Sequence, residues 1–114
     1  MNNPTVLIHT EGKRIELITS YRPDDSCSFT LHKGFYSDGA SIPRYLWSSI
    51  GSPFHPQFIP AALYHDYLYF TGCVSREEAD KEFYRLLRLN GVGWFRAKAM
   101  YNAVRLFGKN SYVK

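Results

Sequence analysis

The sequence predicts an α+β domain: a small N-terminal antiparallel sheet, a long loop, and a three-helix C-terminal part. Two patterns predict it. Short β-branched segments separated by turn sequences fill the first third, and segments with helical spacing and recognisable caps fill the last half. The size agrees, because 114 residues, 45% apolar and 17% aromatic, suit one core rather than two.

Thr5–Ile8, Arg14–Thr19 and Ser28–Leu31 read as strands. Glu11-Gly12-Lys13 and Arg22-Pro23-Asp24-Asp25 between them supply turns. Residues 33–58 are rich in Gly, Ser and Pro, with one short helical stretch at Arg44–Ile50. A loop of this length is more often functional than filler. The first long helix, about 59–70, has Pro60 in its first turn and stops near Thr71-Gly72. The second, about 75–90, opens with a Ser75/Glu78 capping box and places Ala79, Phe83, Leu86 and Leu87 on one face. The third, about 94–107, aligns Phe95, Ala99, Ala103 and Leu106 as its core stripe and ends at Gly108.

Pro53, Pro56 and Pro60 interrupt the uncharged stretch from Tyr45 to His65, which excludes a membrane-spanning helix there. Cys27 and Cys73 lack metal-motif spacing and are expected as free thiols. Met1-Asn2-Asn3-Pro4 has no basic or apolar leader character, so a cytoplasmic product is expected. Net charge is +4, and residues 76–114 carry nine Lys/Arg against four Asp/Glu. That excess makes Arg85, Arg88, Arg96, Lys98 and Arg105 candidates for an anionic surface. No nucleic-acid motif accompanies them, and nucleic acid is the less favoured partner.

The chemistry centres on Ala61-Ala62-Leu63-Tyr64-His65-Asp66-Tyr67-Leu68-Tyr69-Phe70. On a helix both His65 and Asp66 lie among apolar neighbours, and an ionised carboxylate there needs a cation, a metal or several hydrogen bonds. Asp80, at the edge of the next helix's apolar face, is placed to reach His65 if the two helices are antiparallel. Such a dyad fixes the imidazole tautomer and frees the other nitrogen to take a proton from water. Asp80→Asn is then expected to spare the fold and mis-set the tautomer. Asp38-Gly39 in the upstream loop offers oxygen ligands of the kind a hard cation takes, although an Asx-turn would look the same.

Phe35–Arg44, Ala61–Tyr69, Arg76-Glu77-Glu78-Ala79-Asp80 and Met100–Gly108 together resemble a domain-of-unknown-function family carried by tailed phages and prophages. That resemblance implies a virion component or host-interaction module, with a phage or host protein as partner. A second resemblance is to the bacterial and fungal secreted phospholipases A2. Ser37-Asp38-Gly39-Ala40-Ser41 looks like their calcium loop, and His65-Asp66-Tyr67-Leu68-Tyr69 matches their His-Asp-x-x-Tyr core. It implies His65 as general base, Asp80 as its orienting partner, and Asp38, Asp66 and the Gly39 carbonyl as Ca²⁺ ligands. Tyr69 would be a support, and the substrate a phospholipid or another anionic ester. The departures are Ala40 and Ala62, where that branch has disulfides near the motifs. The alternative is a non-catalytic module in which the same side chains form a buried polar network.

Overall fold

Alternation in Arg14-Ile15-Glu16-Leu17 puts two apolar side chains on one side of a strand, and both Ile15 and Leu17 are fully buried in the computed structural model. The structure describes residues 2–9, 14–38, 42–52 and 55–112. The expected Glu11-Gly12-Lys13 turn lies outside them. Strand β1 (Val6–His9) pairs antiparallel with β2 (Arg14–Leu17), Val6 opposite Leu17 and His9 opposite Arg14. On its other side β2 pairs with β3 (Tyr36–Ser37), Ile15 opposite Ser37.

The third strand is therefore not Ser28–Leu31. That segment makes a single bridge, Leu31 to Tyr21. The free edge of β2 is instead taken by the chain around Tyr36: Leu17 N–H donates to the Phe35 carbonyl at 2.8 Å, and Gly34 N–H donates to the Leu17 carbonyl at 2.9 Å. One consequence matters for the site, because pairing β3 here carries Ser37 into the interior.

A 3-10 turn at Arg44–Leu46 runs into the short helix α1 (Trp47–Ile50). Helix α2 (Ile59–Thr71) is the central element, with Pro60 in its first turn and every residue from Ile59 to His65 buried. Gly72 ends it in the left-handed region at φ 64°, its N–H returning to the Leu68 carbonyl at 2.9 Å. Helix α3 (Arg76–Leu89) starts as the capping box predicts: the Glu78 N–H donates to Ser75 Oγ at 3.1 Å. Ala79, Phe83, Leu86 and Leu87 are buried as expected. Helix α4 (Trp94–Phe107) is followed by a 3-10 turn, Gly108–Ser111.

The core stripe of α4 differs from the expectation. Ala97, Met100, Ala103 and Val104 face inward, while Phe95 and Leu106 point to solvent and only Ala103 belongs to both sets. Small residues on the inward face let α3 approach closely, and this rotation also brings Arg105 to a carboxylate on α3. Side-chain pairing fixes the helix directions. His65 meets Asp80 while Tyr69, one turn on, meets Arg76, one turn back; Tyr84 likewise meets Tyr101 while Asp80 meets Arg105. Both neighbouring pairs are antiparallel. Cys27 and Cys73 are free thiols, the first buried and the second exposed. Among the described residues no helix is long and apolar enough to cross a membrane.

Candidate functional site

Asp80 is fully buried on α3, yet every oxygen it carries is engaged. Its Oδ1 lies 2.7 Å from His65 Nε2 and accepts from the Tyr69 hydroxyl at 2.5 Å. Its Oδ2 accepts from Arg105 Nη1 at 2.7 Å, with Arg76 Nε 4.0 Å away. An ionised carboxylate only accepts, so His65 Nε2 carries the proton and Nδ1 is the basic nitrogen. The His65–Asp80 dyad read from the sequence is thus present, with Tyr69 supporting it one helical turn along α2.

Arg76 and Arg105 are the members that the sequence reading missed. Arg76 donates through Nε to the Tyr69 hydroxyl at 3.1 Å and through Nη2 to the carbonyls of Val104 and Arg105 at 2.8 and 2.6 Å. It ties the last turn of α4 to the dyad. Arg76 sits four residues before Asp80, a spacing that could have disclosed it. Arg105 had no such signal, because its pairing depends on the rotation of α4.

These neighbours set the charge states. Burial disfavours the charged form of His65, but Asp66 on one side and Asp80 on the other outweigh it and hold the imidazole above its ordinary value. Burial pushes the Asp80 carboxyl up, and hydrogen bonds from His65, Tyr69 and Arg105 more than reverse it, leaving it below the usual carboxylate range. The Tyr69 hydroxyl is pushed well up by burial and by Asp80.

The other side of the imidazole is different. Nδ1 stands 3.6 Å from Asp66 Oδ1, too far for a hydrogen bond. Asp66 is not fully buried among apolar side chains as expected; it takes a hydrogen bond from the Ser37 hydroxyl on β3 and lines a cleft of about 630 Å³. Asp38, Phe35, Tyr36, Phe70 and the chain at Asn110–Ser111 share that cleft, with Tyr69 at its back. The structure therefore brings Asp38 and Asp66 to one cavity, which Tyr69 also lines; His65 and Asp80 do not line it and connect to it through Asp66 and Tyr69. Gly39 lies outside the described residues, as do Ala40 and Ser41. Among the described residues no three His, Cys, Asp or Glu side chains gather as a metal cluster.

The five basic residues expected to meet an anionic surface each have contacts within the domain. Arg85 pairs with Glu82 at 2.7 Å and donates to Ser26 Oγ at 2.8 Å. Arg88 donates to the Val92 carbonyl, Arg96 to the Ile50 carbonyl, and Arg105 to Asp80. Lys98 lies over the Tyr84 and Tyr101 rings.

Two relatives from Sinorhizobium fredii (strain NBRC 101917 / NGR234) are similar to this chain. "Uncharacterized protein y4jT" is 38% identical over 95 residues, which is 82% of this chain and 28% of that protein. "Uncharacterized protein y4iH" is 35% identical over 72 residues, 63% of this chain and 30% of that protein. The chain spans less than a third of the length of either relative. No solved structure matches it. A family model described as "Protein of unknown function (DUF1353)" matches residues 14–104, which contain the sheet pairing of β2, the dyad, Tyr69, Asp38 and Asp66, and the chain belongs to that family.

Proposed function

We propose that the domain is a water-activating ester hydrolase of the phospholipase A2-like kind, acting on a phospholipid or another anionic ester. The observation that carries this reading is the imidazole of His65: Nε2–H bonds Asp80 at 2.7 Å, and the basic Nδ1 stands 3.6 Å from Asp66, which lines the cleft. In this reading Nδ1 accepts the proton of the attacking water, and Asp80 stabilises the imidazolium that results. Tyr69 and Arg105 keep the carboxylate from turning. Ser37 fixes Asp66 at the cleft wall through its hydroxyl.

The cleft's donors are hard oxygens, from Asp38, Asp66 and Ser37, and that is the chemistry Ca²⁺ takes. Two carboxylates are fewer ligands than Ca²⁺ needs, so carbonyls such as that of Gly39, and water, would complete its shell. When bound, the ion would polarise the ester carbonyl and offset the charge that develops on its oxygen.

One observation favours a second reading. His65 is only 1% exposed, and Asp80 joins side chains from three helices, as a network that only locks the helices together would. In that reading the domain is a non-catalytic phage virion or host-interaction module.

Thermal melts of wild type and Asp66→Asn, each with chelator and with millimolar Ca²⁺, separate the two. The hydrolase reading expects wild type to gain about 2.7 kcal/mol at a hundred-fold excess of Ca²⁺ over its Kd, and the variant to gain nothing. It also expects release of fatty acid from a short-chain phospholipid that stops with His65→Gln. Four stability curves that show no calcium effect, and no turnover, would leave the non-catalytic module standing.

A further inference from the structure

The outer face of α4 carries Phe95 and Leu106 in line, with Ala99 and Asn102 between them at helical spacing. Phe95 is 78% exposed, Leu106 74% and Trp94 61%. Lys98, its ammonium over the Tyr84 and Tyr101 rings, lies one turn from Phe95, and Lys109 follows in the 3-10 turn after the helix; both are exposed. From Asn90 to Lys114 the sequence holds no Asp or Glu.

An apolar stripe on a segment that carries lysines and no acidic residue is poorly matched to a second copy of itself, because that segment offers no carboxylate to meet the lysines. It is matched to a partner that is anionic at its surface and apolar just beneath. Exposed Trp, Phe and Leu tips with Lys nearby have the composition that enters the boundary between lipid headgroups and acyl chains. We infer that the outer face of α4 docks on an anionic phospholipid bilayer, with Phe95, Leu106 and Trp94 entering it and Lys98 and Lys109 meeting headgroups. The turn after α4 carries Asn110 and Ser111 into the cleft wall, which links this helix to the cleft. This surface does not depend on the hydrolase reading: a protein that binds vesicles and hydrolyses nothing keeps the surface and loses the enzyme.

Sedimentation with vesicles of phosphatidylcholine alone, and of phosphatidylcholine mixed with phosphatidylglycerol, tests it. Wild type should partition onto the mixed vesicles only. Phe95→Ser with Leu106→Ser should weaken partition by about tenfold or more, given the apolar area withdrawn. Lys98→Gln and Lys109→Gln should each weaken it by about fivefold. Brominated acyl chains should quench the tryptophan emission of wild-type protein, a readout that needs no variant to fold. Any of three results would overturn the proposal: no binding to the mixed vesicles, binding indifferent to Phe95 and Leu106, or no quenching. Protection of this face by an acidic protein and not by vesicles would also overturn it.

Discussion

The two sides of the His65 ring are built differently. At Nε2 the surroundings are closed: Asp80 is buried, and Tyr69 and Arg105 hold its oxygens from two other directions. At Nδ1 the surroundings are loose: one carboxylate stands 3.6 Å off, tied to a serine and facing a cleft. The two flanks therefore differ in what a substitution would disturb. Groups that join three helices cannot move without cost, whereas a group held by one hydrogen bond at a cavity wall can. Substitutions on the Nε2 side should change stability most, and those on the Nδ1 side should change binding or turnover most.

The largest effect is expected at Asp80. Asp80→Ala leaves Arg105, Arg76 and a buried imidazole without their common acceptor, and should cost about 3 kcal/mol, the low end for a broken buried pair because Arg105 is partly exposed. The presence of Arg105 also revises the expectation that Asp80→Asn spares the fold, since the amide keeps the shape and loses the charge both arginines face. Urea unfolding measures this. A loss under about 0.5 kcal/mol would mean that the closed flank is not closed.

The same group makes a prediction about pH. Asp80 has a folded pKa below its unfolded value of about 3.9, so its contribution is complete above that value and is lost as pH falls through the folded pKa. His65 is shifted upward, so its contribution is complete below about pH 6.5 and is lost as pH rises through its folded pKa. Wild type should thus lose stability as pH falls through the folded pKa of Asp80 and as it rises through that of His65. Asp80→Asn should flatten both limbs, and an unchanged profile in that variant would assign the dependence elsewhere.

A smaller effect, confined to geometry, is expected at Gly108. Its φ of −80° suits any residue, but a Cβ there would stand 2.8 Å from the Tyr69 hydroxyl oxygen and 3.2 Å from the ring. Gly108→Ala must displace Tyr69 from Asp80 or push the turn outward, at a cost of about 1–2 kcal/mol. Hydrogen–deuterium exchange at the end of α4 should rise with it. Gly93→Ala, where a Cβ meets nothing within 4 Å, is the control and should not reproduce the effect.

The contrast between the flanks also explains what could be read in advance. The three long helices were legible because caps and apolar spacing are local: Ser75 with Glu78, Pro60, and Gly72 are all visible within a few residues of one another. The dyad was legible because a polar pair on an apolar helix needs a partner, and the short link to the next helix restricts where that partner can be. Strand β3 was not legible, since two residues among glycines carry no period, and β2 chose them by tertiary packing. The rotation of α4 was hidden for a related reason. Phe95 and Leu106 are the more apolar stripe, but the alanines on the other face permit closer packing and Arg105 has a buried anion to meet. The cleft's carboxylates were each visible, while Ser37 as the hydrogen-bond donor to Asp66 follows from β3.

The smallest effect on stability, and the sharpest test of the contrast, belongs to Asp66. Asp66 accepts its hydrogen bond from the Ser37 hydroxyl, and an asparagine oxygen can accept from the same donor. Asp66→Asn keeps that bond but removes a carboxylate that helps hold the His65 imidazole above its ordinary value, so in the presence of chelator it should cost no more than about 1 kcal/mol, well below the cost at Asp80. If the Nδ1 flank is the working side, the same substitution removes the calcium response and the turnover while leaving the fold untouched, the reverse of the pattern at Asp80. Melting curves with chelator, set beside fatty-acid release with Ca²⁺, read both quantities on one preparation. A loss of stability at Asp66 as large as that at Asp80 would make the two flanks equivalent parts of one structural network, and the division between a closed side and a working side would fail.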